Sequence, residues 1–422
     1  MKIETKCLHA GYEPKNGEPL VMPIYQSTTF KYDSSDHLAD LFDQKVMGHM
    51  YSRITNPTVS FVEQKIAALE NGADAVLTSS GQAAIMLAFF NICKAGDHIL
   101  SSTSIYGGTV NLFQNTFKRF GIDVTFFNPD DSEENIQKLF RAETRVYYGE
   151  TIANPTLNIF DVEKHARIAH KNGVPLIVDN TLATPILCRP IDFGADLLIH
   201  STTKYMDGFA TVVGGAVVDS GKFDWTNGKF PEFTEPDESY HGTVYSRDYG
   251  NLAYTAKARF QLMRDLGIIP SAQSVFVLNT GLGSLHVRME RHSQNALAAA
   301  EYLEVHAQVE EVMYPGLKSS RYHELSKKYM PDGQSGVVTF RIKGGRKAAQ
   351  VFMDSLQLAK IVVHVADART IVIHPASTTH RQLTDEQLIE SGVTPDMIRL
   401  SVGIENIEDI LADLAQAFER IK

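Results

Sequence analysis

A chain of 422 residues, 43% of them apolar and 21% charged, can build two or three domains around a large buried core, and its apolar content is that of a globular protein, so disorder is not the expectation. The formal net charge of −10, with Lys and Arg scattered rather than run together, argues against a nucleic-acid surface or a polybasic membrane contact. No apolar run reaches the ~18 residues that cross a bilayer, and Cys7, Cys93 and Cys188 form no CxxC pair, so neither a disulfide framework nor a zinc site is expected.

Residues 1–60, and 1–56 above all, are rich in Pro, Tyr and Thr with weak periodicity and read as an extended arm that must lie on something. The opening MKIETKCLHAGYEP lacks the apolar centre of an export signal, so a cytoplasmic location is expected. From about Pro57 to Val218 helix-like stretches alternate with short apolar runs at Ala75–Leu77, His98–Leu100, Val124–Phe127, Arg145–Tyr148, Pro175–Val178 and Asp196–His200. That alternation predicts an α/β domain over 61–266 with a mostly parallel sheet. Helices are clearest at Val59–Leu69, after the turn Asn56-Pro57-Thr58, and at Val162–His170, where His165 and His170 read as solvated. The segment 220–249, which holds Trp225, is punctuated by Pro and Gly and reads as a surface insertion. From Ala272 a long helical pattern begins, and strands such as Val337–Ile342 then alternate with helices. A second, smaller α/β domain is expected over 267–422.

In open α/β sheets ligands bind beyond the carboxyl ends of the strands, so polar residues ending apolar runs are the first candidates. Asp179 closes the apolar run within VPLIVDN (174–180), and Lys204 is the last residue of ADLLIHSTTK (195–204). A lysine able to form a Schiff base and a carboxylate able to charge a ring nitrogen are what pyridoxal phosphate (PLP) chemistry asks for. An isolated pair of this kind is more often a helix cap and a surface lysine. Ser201 and Thr203 flank Lys204 with hydroxyls that suit a phosphate. Ser80-Gly81-Gln82 joins a strand to a helix, where free N–H groups and the helix dipole favour an anion; a plain turn is an equal alternative. Tyr106 could lay its ring on a planar cofactor or simply pack, and Asn154, before Pro155, could reach a ring oxygen or simply shape a turn. Tyr51 and Arg53 place a phenol and a guanidinium in the arm, where a phosphate contact competes with ordinary exposure. Arg399 on an apolar strand needs a partner, and a substrate α-carboxylate is a suitable one. The His374 and His380 spacing suits no metal site, and Gly281-x-Gly283 lacks the strand that a dinucleotide fingerprint requires.

Taken together, YSRITNPT, SSGQAA, YGGT, ETIANPT, VDNT, HSTTKY, HPASTTH and RLSVGIE, in this order along nearly the whole chain, resemble the cysteine and methionine metabolism group of PLP enzymes. The resemblance implies a fold-type I, aspartate-aminotransferase-like α/β architecture and a homotetramer assembled as a dimer of dimers with shared sites. It implies Lys204 as the Schiff-base lysine, Asp179 as partner of the ring nitrogen, and Tyr106 as ring clamp and proton carrier. Ser80, Gly81, Gln82, Ser201 and Thr203 correspond to phosphate contacts, and Tyr51 and Arg53 to groups given across a dimer to the phosphate. Asn154, Ser377 and Arg399 correspond to residues near the ring oxygen and the substrate carboxylate. Within the group, YGGT, the insertion and STTH are most similar to the branch that sulfhydrylates O-acetylhomoserine. That branch implies γ-replacement by sulfide or a small thiol, giving homocysteine or methionine. The alternatives are a γ-lyase acting on methionine or cystathionine, whose members usually carry cysteine where this chain has Gly108, and a cystathionine γ-synthase. Arg381 departs from the small polar residue of many relatives.

Overall fold

The computed structural model describes residues 1–378, 381 and 392–421. Among them, seven strands form the larger sheet: β1 (Asp74–Thr78), β2 (His98–Ser102), β3 (Asp123–Phe127), β4 (Thr144–Glu150), β5 (Leu176–Asp179), β6 (Leu197–His200) and β7 (Gly215–Asp219). Their order is β1-β7-β6-β5-β4-β2-β3. The pairs from β6 through β5, β4 and β2 to β3 are parallel, whereas β7 runs antiparallel to both β6 and β1. The six expected apolar runs are strands β1 to β6. β7 was not expected: the connection 201–214 holds the Lys204 loop rather than a crossover helix, so the chain returns antiparallel.

Alternation along each strand divides the side chains between two cores. Leu77, Leu100, Tyr147, Val178 and Leu198 pack on one face against the helices Pro57–Glu70 and Val162–Lys171. Val76, Ile99, Val146, Ile177 and Ile199 pack on the other against the helix Gly81–Phe90. With both faces covered, β5 and β6 need unbroken apolar runs, and polar residues are left to the strand ends. The first helix starts cleanly because Asn56 Oδ1 accepts from Thr58 N at 3.0 Å and Pro57 needs no N–H partner.

The second sheet contains β8 (Val309–Met313), β9 (Val337–Ile342), β10 (Lys360–Ile361), β11 (Ile371–Ile373) and β12 (Met397–Ser401), ordered β10-β11-β12-β9-β8. The helices Leu285–Glu304, Gly345–Ser355 and Ile407–Phe418 cover it, with Ile410, Leu414, Ala417 and Phe418 forming one helical stripe over Phe340 and Phe352.

Two expectations are corrected and one is refined. The N-terminal segment is not wholly extended: it contains the helices Ile3–His9 and Ser35–Phe42, and Cys7 is buried in the main core. The segment 220–249 lies largely at the surface, as expected, but is anchored by its aromatics: Trp225 stacks on Phe233 with centroids 4.4 Å apart, and both lie in the second core. His165 is buried, with Nδ1 2.7 Å from Tyr147 Oη and its ring stacked on Phe160.

Candidate active site

Parallel strands bring their carboxyl ends to one edge, and here that edge carries Glu150, Asp179 and His200 at the ends of β4, β5 and β6. Asp179 turns toward a cleft, where its Oδ1 accepts from Thr181 N at 2.9 Å. The next residue, Asn180, points the opposite way, and Glu70 Oε1 receives both its Nδ2 at 2.9 Å and His200 Nε2 at 2.6 Å. This buried polar anchor fixes the strand ends behind the cleft.

Lys204 follows β6 in a tight turn closed by its own N–H to Ser201 O at 3.1 Å and by Gly208 N to its carbonyl at 2.8 Å. Its Nζ lies 3.3 Å from His364 Nδ1. Burial, helped by the Arg399 cation, brings the lysine down to about 8, close enough to neutrality for the free amine to act as a nucleophile or base. Burial also holds the His364 imidazole down to about 4, with Lys204 the next cause, so the ring is neutral.

At the far side of the cleft, Ser80 caps the helix Gly81–Phe90, its Oγ accepting from Ala83 N at 3.1 Å. A Cβ added to Gly81 falls 2.7 Å from Ser201 Cβ, so only glycine lets the helix start lie against the loop after β6. The arrangement presents backbone N–H groups to an anion. Ser201 N donates to Thr181 Oγ1 at 2.9 Å. Thr203 Oγ1 is already engaged by Gly214, donating to its carbonyl at 3.1 Å and accepting from its N–H at 3.0 Å.

Arg399 reaches the same cleft from β12 of the smaller sheet and is 8% exposed. Its Nη1 donates to Asn154 Oδ1 at 3.1 Å and its Nη2 to the His364 carbonyl at 2.6 Å, while Nε is buried with no partner. Burial lowers the guanidinium to about 10, which leaves it charged near neutrality and short of an acceptor. Tyr106 stands at the mouth, half exposed, with its N–H on Glu150 Oε1 at 2.7 Å. Its ring covers Gly108: a Cβ there falls 2.4 Å from Tyr106 Cε1.

The cleft encloses about 310 Å³ and is lined by Ser80, Gly81, Gln82, Tyr106, Asn154 and Asp179 together with Ser201, Thr203, Lys204 and Arg399. It falls within the size of small cofactor sites. An amine, a carboxylate, a glycine cradle for an anion and a guanidinium with a spare donor make a donor set that fits pyridoxal phosphate with an amino acid beside it.

Three expected residues lie elsewhere. Tyr51 is exposed, and Arg53, 5.4 Å from the Tyr51 ring, donates to the Arg264 carbonyl. Ser377 does not line the cleft: the turn Pro375–Ser377 carries it toward Arg346 and Arg381, and its Oγ lies 2.8 Å from His374 Nδ1. Thr379 and His380 of the same motif lie outside the described residues. Conversely, Glu150, Thr181 and His364 line the cleft without having been singled out. Glu150 was recoverable, since it ends an apolar run just as Asp179 does; His364 carries no such signal.

Residues 4–419 match the family described as Cys/Met metabolism PLP-dependent enzyme. A homocysteine synthase of Schizosaccharomyces pombe is 48% identical, covering 99% of this chain and 98% of the relative. An O-acetyl-L-homoserine sulfhydrylase of Leptospira meyeri is 44% identical, covering 100% and 97% respectively. Among solved structures, an O-acetylhomoserine (thiol)-lyase from Campylobacter jejuni with N'-pyridoxyl-lysine-5'-monophosphate superposes with a TM-score of 0.95 at 37% identity, covering 99% of this chain and 100% of the other. The fold is thus the fold-type I arrangement that the resemblance implied.

Proposed function

The chain belongs to the Cys/Met metabolism PLP-dependent enzyme family, and from that premise we propose that it replaces the γ-acetoxy group of O-acetyl-L-homoserine with sulfide or a small thiol, giving L-homocysteine or L-methionine and acetate. The proposal is carried by the meeting of one amine, one carboxylate and one guanidinium, Lys204, Asp179 and Arg399, on a single cleft. Pyridoxal phosphate, when bound, supplies an electron sink for charge that develops on the substrate carbons.

The protein's own groups then have distinct tasks. Lys204 would hold the cofactor through its aldehyde group, and its free amine would take and return the substrate's Cα proton; its depressed basicity suits it to gain and lose that proton near neutral pH. Asp179 pairs with the ring nitrogen. The N–H groups at Gly81 and Gln82, with the Ser80 and Ser201 hydroxyls, receive the phosphate, and Thr203 contributes mainly by holding Gly214. Arg399 takes the substrate carboxylate through its spare donor, with Asn154 fixing the guanidinium. Tyr106 closes the mouth of the cleft over the ring and moves a proton at its hydroxyl.

A second copy of the chain delivers Tyr51 and Arg53 to the phosphate side, in a homotetramer built as a dimer of dimers. Both residues lie away from their own cleft, and Leu20 and Met47 of the same segment are exposed. A cytoplasmic setting fits the three free, buried cysteines.

One steady-state assay tests the proposal: O-acetylhomoserine, O-succinylhomoserine and methionine are each offered with and without sulfide. The expected result is sulfide-dependent homocysteine and acetate from O-acetylhomoserine. Production of 2-oxobutyrate without any thiol overturns it in favour of a lyase.

A further inference from the structure

Among the described residues, His364 is the side chain whose ring nitrogen lies against the Lys204 amine, 3.3 Å away. It comes from the other sheet, on the connection between β10 and β11. That connection is held from both sides. His364 N donates to Val362 O at 2.8 Å, and its carbonyl takes Arg399 Nη2 at 2.6 Å. Ala366 N donates to Ser401 Oγ at 2.8 Å, and Ala368 N to Gly208 O, beside the Lys204 turn, at 2.7 Å. Ala366 sits at φ +68°, a conformation that side chains rarely adopt and that persists only where the surroundings impose it. The result is an imidazole presented to the lysine with little freedom.

We propose that His364 is the positioning residue for the Lys204 amine, its Nδ1 holding that amine in place both when the amine carries the migrating proton and when it does not. Imidazole suits this task because it can place its hydrogen on either nitrogen. The ammonium donates to a bare Nδ1, and the neutral amine accepts from Nδ1–H. A carboxylate in its place serves only the first state and an aliphatic side chain neither. The charged groups around the ring leave it free for this role. Asp367 is held by Arg369 Nε at 2.8 Å and Asp207 by Thr211 N at 2.8 Å, while Arg399 uses the backbone carbonyl of His364 and not its ring. The proposal rests on the PLP-dependent reading given above and adds to it a residue that the reaction does not strictly require.

The test compares the PLP-loaded wild type with His364→Asn, His364→Leu and His364→Asp. The first readout is the exchange of the Cα hydrogen of L-norvaline, which has no leaving group, for deuterium in D₂O by NMR across pH. The second, independent of turnover, is the pH titration of the visible absorbance of the bound cofactor. Asparagine, whose amide can turn to accept or donate, is expected to exchange within about twofold of wild type, and leucine to be slower by about tenfold or more, the worth of a hydrogen bond to a charged group. Aspartate, which pins the ammonium, moves the acidic limb of exchange and the absorbance midpoint to higher pH. Wild-type exchange and titration in all three variants overturns the role of His364 while leaving the PLP reading intact; a wild type that neither colours nor exchanges overturns that reading itself, and this role with it. Should the leucine variant not fold, the aspartate and asparagine variants decide, and identical profiles for these two contradict the proposal.

Discussion

Glu150 and Asp179 are register partners across the parallel pair β4–β5, at the edge where the cleft opens. Two carboxyls so placed do not both ionise readily. Burial pushes both up, and at Glu150 the Asp179 charge pushes further, to well above the carboxylate range. Asp179 has the Thr181 N–H and the neighbouring His200 on the side of its charged form. Of the two, Glu150 is pushed the more strongly toward its protonated form, while Asp179 has groups favouring its charge, which gives the two carboxyls different jobs.

Their substitutions separate accordingly. If Asp179 partners the ring nitrogen as proposed, Asp179→Asn is expected to weaken PLP binding roughly tenfold to a hundredfold, with turnover falling in parallel. Glu150→Gln keeps a neutral side chain of the same shape and leaves PLP affinity within about threefold. Absorbance titration of each apoprotein with PLP checks both outcomes.

Glu150 also sets a pH dependence of stability. A carboxyl whose folded pKa lies above its unfolded value contributes stability that is complete below the unfolded pKa and lost as pH rises through the folded one. Relative to wild type, Glu150→Gln should thus gain in Tm as pH is raised from about 5 to about 8. Thermal unfolding of the two holoenzymes across that range checks the sign, and a difference that stays constant or shifts toward wild type as pH rises contradicts it.

The Gly81 position makes a steric prediction. An alanine methyl meets Ser201 Cβ at 2.7 Å, and neither the helix start nor the β6 loop can yield without opening the anion cradle. Gly81→Ala is expected to raise the Kd for PLP about tenfold or more, from loss of backbone bonds to a charged group. Far-ultraviolet circular dichroism should remain that of the wild type. Equal PLP affinity with an intact fold removes the cradle from the account.

At Arg399 the geometry matters as much as the charge. Its two Nη groups are spent on Asn154 and the His364 carbonyl, which an ammonium cannot reproduce together with a carboxylate contact. Arg399→Lys is expected to raise KM for the amino-acid substrate by roughly tenfold to a hundredfold, with a smaller change in KM for sulfide. An unchanged KM for the amino acid shows that the carboxylate binds elsewhere.

Much of this could be read from the order of residues, for physical reasons. Strands covered on both faces must be unbroken apolar runs, so β1 to β6 stood out, and Asp179, the polar residue ending one of them, drew notice. Lys204 and Arg399 stood out because a cation beside apolar sequence needs a partner. What escaped depends on tertiary neighbours. The direction of β7 follows from what its connection contains, and His165 looked solvated because its burial against Tyr147 and Phe160 is set by how its helix lies on the sheet. Ser377 shares a motif with the site, yet its turn carries the hydroxyl toward His374. His364 acquires meaning only when the connection after β10 is laid beside the Lys204 turn.

The most direct test of the central claim is to reduce the PLP-loaded protein with borohydride and map the label by peptide mass spectrometry. The account predicts one pyridoxyl phosphate group per chain, on the peptide containing Lys204, and loss of that label together with the yellow colour in Lys204→Ala. A label that resides instead on another buried lysine, such as Lys65 or Lys257, or that persists in Lys204→Ala, contradicts it.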